Sequence, residues 1–125
     1  MKYQVMILMI AMAIGCGQQD NTPPIAAAGQ EVSATLGRGK NLFQQNCASC
    51  HAKEKELVGP PLAGVEKKWD NKAKLYAFIR NAPQVIKEDK YAHDLWKKYN
   101  QTTMMPFPDL TDADIDAILE YVNTK

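Results

Sequence analysis

The chain has 125 residues, enough for one small domain together with any targeting segment. Charged residues make up 23% of it and the formal net charge is +1, which excludes a nucleic-acid binder held by charge. A domain of this size buries proportionately little surface and often needs a staple, and three Cys, an odd number, leave one to be explained outside any pair.

Residues 1–15 are expected to lie outside the fold. Lys2 supplies a positive start, and Val5 to Ile14 is a continuous apolar run, too short to span a bilayer as a helix. It fits the apolar region of a secretory signal. The run ends in Ala13-Ile14-Gly15-Cys16, which resembles a bacterial lipobox. The resemblance implies cleavage before Cys16 and acylation of its thiol. That would give an exported protein, lipid-anchored to a bacterial membrane and facing the periplasm or cell exterior. The alternative is an ordinary cleaved signal with Cys16 incidental. Residues 16–33 then form the lipidated tether. Gln18 to Ser33 is polar and small, with Pro23-Pro24 and Ala26-Ala27-Ala28-Gly29 and no apolar period, and is expected to be flexible. Fully stretched it would reach on the order of 50 Å.

Residues 34–125 are expected to fold. From about Thr35 to Cys50 the pattern is helical, with Leu36, Gly39, Leu42, Phe43 and Cys47 on one face. Gly39 is costly inside a helix, and a close backbone contact with another helix would justify it. The helix runs into Cys47-Ala48-Ser49-Cys50-His51. Two thiols three positions apart with an imidazole directly after them form the attachment signature of a c-type haem. The thiols add to two vinyl groups, and the His becomes the proximal iron ligand. A disulfide, a thioredoxin-type pair and a zinc site compete. The flanks lack the strand-then-helix context of the redox pair, and only His93 remains as a further ligand of zinc-site type.

Gly59-Pro60-Pro61-Leu62-Ala63-Gly64 is a rigid turn. A ligating His needs its second ring nitrogen held by an acceptor, and a Pro carbonyl here is a candidate, with Leu62 packing on the ring. Lys72 to Asn81 is expected to be a short helix through Leu75, Phe78 and Ile79, ended by Pro83. Glu88 to Asn100 is another, with Tyr91, Leu95 and Tyr99 in a stripe and His93 off it, hence at the surface. Met104-Met105-Pro106-Phe107-Pro108 must be an extended loop. Its Met residues are either gap-filling core or candidates for a second axial ligand. Thr111 can cap a last helix, with Asp112, Asp114 and Asp116 suited to its dipole and Ile115, Ile118, Leu119 and Val122 on one face.

From Leu36 to Val122 the chain resembles a class I cytochrome c. Gly39, Phe43, Ile118 and Tyr121 match the helix-crossing positions of that family, and Gly59-Pro60-x-Leu62-x-Gly64 matches its turn. The resemblance implies an all-α class I cytochrome c fold, three to five helices wrapped around one covalently bound haem c. It makes Cys47 and Cys50 the attachment residues, His51 an axial ligand, and Pro60 the acceptor for its ring N–H. Met104 matches the ligand position by its distances to Phe107 and Thr111, with Met105 as runner-up in a loop of the form M-P-x-F. Trp69 and Lys68 sit where related sequences carry an aromatic and a basic residue near a haem propionate.

The function implied is one-electron transfer in a respiratory chain rather than enzymatic catalysis. Electrons would pass at the haem edge beside the two thioethers. The implied partners are redox proteins such as a terminal oxidase or membrane oxidoreductase, together with a membrane reached through the lipid. Lys53, Lys55, Lys67, Lys68, Lys72 and Lys74 are expected to form a basic docking face, with Asp109, Asp112, Asp114, Asp116 and Glu120 toward the C-terminus. Two other classes remain. One is a haem enzyme or sensor with an open axial site. The other is a fixed relay module of a larger oxidase or dehydrogenase.

Overall fold

A computed structural model describes residues 25–125, with side chains from residue 29 onward. The signal segment and Cys16 lie outside the described residues. Four helices follow in order: α1 Ile25–Asn46, α2 Lys72–Glu88, α3 Lys90–Lys98 and α4 Asp112–Asn123, with a short 3-10 turn at Val65–Lys68. Among the described residues there is no strand, and no helix is long and apolar enough to cross a membrane.

α1 begins at Ile25, well before Thr35, so the second half of the stretch expected to be a flexible tether is helical. Ala26-Ala27-Ala28 and Gln30-Glu31 are strong helix formers. Residues 29–34 are all exposed, and a turn with nothing to pack on carries no apolar period.

The lower half of α1 crosses α4 near the two ends of the domain. Gly39 makes the crossing possible. A Cβ there would stand 2.6 Å from the Ala117 carbonyl carbon, and closer still to its oxygen. Phe43, Ile118 and Val122 are buried together beside it, and the Phe43 and Tyr121 rings pack at 5.6 Å. Burying three such side chains is worth about 2 kcal/mol each. Arg38 closes the crossing with an ion pair to Asp114 at 2.6 Å.

The second core cluster joins α2, α3 and the other face of α4 through Leu75, Tyr76, Ala82, Ile86, Ala92, Ile115 and Leu119, with Trp69 from the connection after the 3-10 turn. Lys72 to Arg80 is helical as expected, but Pro83 does not end the element. The chain leaves helical geometry at Asn81 (φ −152°, ψ 65°) and resumes at once. Asn81 caps the resumed half, its side chain accepting from the Gln84 N–H at 3.4 Å. Pro83 therefore falls in a first turn, where its missing N–H is tolerated. Asp89 then caps α3, accepting from the Ala92 N–H at 3.0 Å. At α4, Thr111 and Asp114 form a reciprocal capping box.

Candidate functional site

A cavity of about 400 Å³ lies between the end of α1 and the loop before α4. The turn after α1 builds its first wall. Cys47 N–H donates to the Phe43 carbonyl at 2.8 Å, and both Cys50 and His51 donate to the Cys47 carbonyl, at 3.1 and 2.9 Å. This continues the helical winding, so Cys47, Cys50 and His51, at i, i+3 and i+4, come to one side. All three line the cavity. Burial, and after it the Cys50 thiol, pushes the Cys47 thiol up to about 11. Its sulfur thus sits among apolar groups that favour an uncharged form.

The turn from Gly59 to Ala63 runs back along this segment. Gly59 N–H donates to the Cys50 carbonyl at 2.9 Å, Leu62 to Ala52 at 3.0 Å and Ala63 to Lys53 at 2.9 Å. His51 Nδ1 lies 2.8 Å from the Pro60 carbonyl oxygen. A carbonyl only accepts, so Nδ1 carries the hydrogen and Nε2 keeps its lone pair for a metal. Gly59 has a part that sequence patterns did not reveal. A Cβ there would stand 2.9 Å from His51 Nδ1 and nearer to Cε1, so only glycine lets the ring lie flat on this turn. The signal was present in Gly59-Pro60, but the reason is a contact with the ring of a residue eight positions earlier in the chain.

The methionine loop lines the cavity as well. Asn100 and Gln101, both left-handed (φ 55° and 60°), reverse the chain after α3. Trp96 Nε1 donates to Thr103 Oγ1 at 3.2 Å, Phe107 N–H donates to the Ile79 carbonyl at 3.2 Å, and Arg80 Nε donates to the Leu110 carbonyl at 2.8 Å. Met104 and Met105 both line the cavity. Met104 is half-buried and packs on the second core cluster, whereas Met105 is 70% exposed. Leu62, Trp69, Phe78, Ile79, Ile115 and Leu119 supply the apolar interior. Trp69 is buried against Phe78 and Tyr91, with ring centroids 5.0 Å apart in each case. Lys68 is exposed and outside the lining. His93 sits on α3, away from the cavity, with its ring 5.5 Å from Trp96.

The expected basic face does not form around the cavity: none of its lining residues is a Lys, Arg, Asp or Glu. Lys72 pairs with Asp116 at 2.7 Å, and Lys74 with Asp70 and Asp89 at 2.7 and 2.9 Å. Lys53 turns to the end of α4, donating to Thr124 and lying 5.0 Å from the Tyr121 ring. Of the acids toward the C-terminus, Asp116 comes back onto Lys72, while Asp112 and Asp114 pair with Arg80 and Arg38. The mouth is edged instead by Gln45, Asn46, Ser49, Val58, Thr102 and Met105.

Two thiols, a free imidazole nitrogen, a thioether and an apolar interior in one cavity suit one flat, apolar, iron-holding ring. Residues 36–125 match the cytochrome c family. The chain belongs to that family, in its class I, monohaem form. It is 37% identical over 87 residues to cytochrome c-551 of Bacillus subtilis, which is 65% of this chain and 77% of that protein. It is 36% identical over 66 residues to the cytochrome c subunit of the bc1 complex of Mycobacterium leprae, 48% of this chain but only 23% of that subunit. A solved cytochrome c from Rhodothermus marinus superposes with a TM-score of 0.61 at 27% identity, covering 72% of this chain and 75% of that one. This cytochrome is an electron carrier with one covalently bound haem c, and its partners are redox proteins.

Proposed function

We propose that the cavity holds its haem through thioethers at Cys47 and Cys50, with His51 Nε2 and the Met104 sulfur on the two faces of the iron. The haem supplies the one-electron couple; the chain decides where the couple sits and how little moves around it. The observation that carries this reading is that the Cys47–His51 turn and the methionine loop line one cavity. At the turn, the Pro60 carbonyl fixes the tautomer and tilt of His51. In the loop, Met104 is half-buried and loop-held while its neighbour Met105 faces outward. With both axial positions filled there is no open site for oxygen or substrate, and thioether ligation away from water favours a high potential. Leu62 packs on the ring beside His51.

Cys16 is the lipid attachment site of an exported protein in this reading, held at the membrane and facing the periplasm or cell exterior. The support is the lipobox-like Ala13-Ile14-Gly15-Cys16 after the apolar run of a signal. The partners are a terminal oxidase or a membrane oxidoreductase in a respiratory chain. The bc1 subunit relative supports that setting, since a stretch similar to this chain occurs there in the cytochrome c subunit of a larger complex.

The test of ligation is the absorption spectrum of the ferric and ferrous protein, extended into the far red. A weak sulfur-to-ferric-iron band is expected. It should vanish in Met104→Ala and persist in Met105→Ala. A wild-type spectrum without the band, with ready binding of carbon monoxide, would replace the carrier reading with an open-site enzyme or sensor. Mass spectrometry of the membrane-extracted protein checks the anchor: Cys16 should be the acylated first residue.

A further inference from the structure

Pro83 stands inside α2, four residues after Ile79. In an unbroken helix the Ile79 carbonyl accepts from the N–H of residue 83, and proline has none. That carbonyl is met instead by the Phe107 N–H at 3.2 Å, from the loop that carries Met104. One residue along, Arg80 Nε reaches the Leu110 carbonyl at 2.8 Å. The segment after Met104 is therefore held at two points from a single break in α2. The break alone does not secure this. With an ordinary residue at 83, a second donor would remain within one helical turn of the Ile79 carbonyl. Ala82 and Ile86, both buried, keep the resumed half of α2 against the core.

We propose that Pro83 is a positioning residue for the methionine loop: by withholding an N–H from the Ile79 carbonyl, it reserves that acceptor for Phe107 and so fixes the segment presenting Met104 to the cavity. Pro83 is half-buried and does not line the cavity, so it acts through Ile79 and Phe107 and not by touching the haem. The inference rests on Met104 as the sulfur ligand only for its effect at the iron; the backbone contact stands by itself.

The experiment uses the haem-loaded protein and its Pro83→Ala variant. Amide hydrogen exchange at Phe107 is compared with that at Ile115, whose N–H bonds to the Thr111 carbonyl in the cap of α4. In the variant, Phe107 should exchange about tenfold faster relative to Ile115, the loss expected for one hydrogen bond. Added imidazole should displace the sulfur ligand faster by about the same factor, followed in the far-red band. An unchanged Phe107-to-Ile115 ratio would overturn the proposal, as would equal acceleration of both amides, which marks general loosening. Asn81→Ala keeps Pro83 while removing the cap at the break. Phe107 should then stay protected to within about twofold; loss as large as in Pro83→Ala would show that the kink holds the loop, and the proposal falls. If Met104→Ala leaves the far-red band intact, the ligand assignment fails and the imidazole rate says nothing, while exchange at Phe107 still decides the role of Pro83.

Discussion

A single hydrogen separates Gly39 from a side chain, and the two physical effects of adding one carry opposite signs. Helix propensity alone favours Ala over Gly by about 1 kcal/mol. The crossing opposes it, because the new carbon would meet the Ala117 backbone, which cannot swing aside as a side chain can. Overpacking of this kind costs about 3 kcal/mol. Gly39→Ala should therefore lower the denaturation midpoint of the holoprotein, and a raised midpoint would show that α1 does not lie against α4 this closely. The sequence carried this residue's peculiarity, since a glycine amid helical spacing invites the question. Gly59 raised no such question. It sits beside two prolines in a turn where any glycine looks ordinary, and its partner is the His51 ring rather than another helix.

At the scale of elements, the α4 start shows how local chemistry fixes a boundary. Asp114 accepts from the Thr111 N–H at 3.0 Å and from its hydroxyl at 2.6 Å, while Thr111 Oγ1 accepts from the Asp114 N–H at 3.2 Å. These bonds from Thr111, then the Arg38 guanidinium, hold the Asp114 carboxyl below the ordinary 3.8. A carboxylate depressed in the folded state stabilises the fold fully above its unfolded value, and that contribution is lost as pH falls through the lower folded one. Asp114→Asn should melt lower than wild type at about pH 7, with the gap narrowing toward about pH 3. A gap that stays constant would remove the carboxylate from the account. Thr111 as a cap was legible because a cap is written in adjacent residues. The course of α2 was only half legible. Pro83 marks a break, but Asn81 as the start of a new turn shows only once the backbone is seen to leave the helix there. The extra turns of α1 were missed for the opposite reason. A helix with no partner carries no apolar stripe, and periodicity reports packing before it reports winding.

For the whole molecule, charge is where linear order misled. Of the lysines gathered in one third of the sequence, Lys72 meets Asp116 of α4 and Lys74 meets Asp89 at the α2–α3 junction, and the cavity lining itself holds amides, hydroxyls and apolar groups. Exposed Val58 and Met105 belong to that lining. Electron exchange with an anionic reagent such as hexacyanoferrate should therefore change by less than about threefold between about 20 and about 300 mM salt, where a basic face would give a steep fall. A steep fall would restore the basic face. The wall that carries the two thiols and the imidazole was legible because Cys47 to His51 and Gly59 to Leu62 are continuous runs of chain. The supports of the other wall, Ile79, Arg80 and Trp96, come from helices far from it in sequence, and no local motif marks them.

The crossing of α1 and α4 has a kinetic side as well. Arg38 and Asp114 are 76 residues apart in the chain, so closing that contact gathers nearly the whole domain into one loop. The entropy of such a closure must be met before the contact repays it, which makes it a late event in folding. A chain emerging N-terminus first has Cys47, Cys50 and His51 in the open well before the residues of α4 have appeared. Over the interval between these two moments the Cys47 thiol, half-buried in the finished fold, is uncovered, whereas Cys50 stays exposed even afterwards.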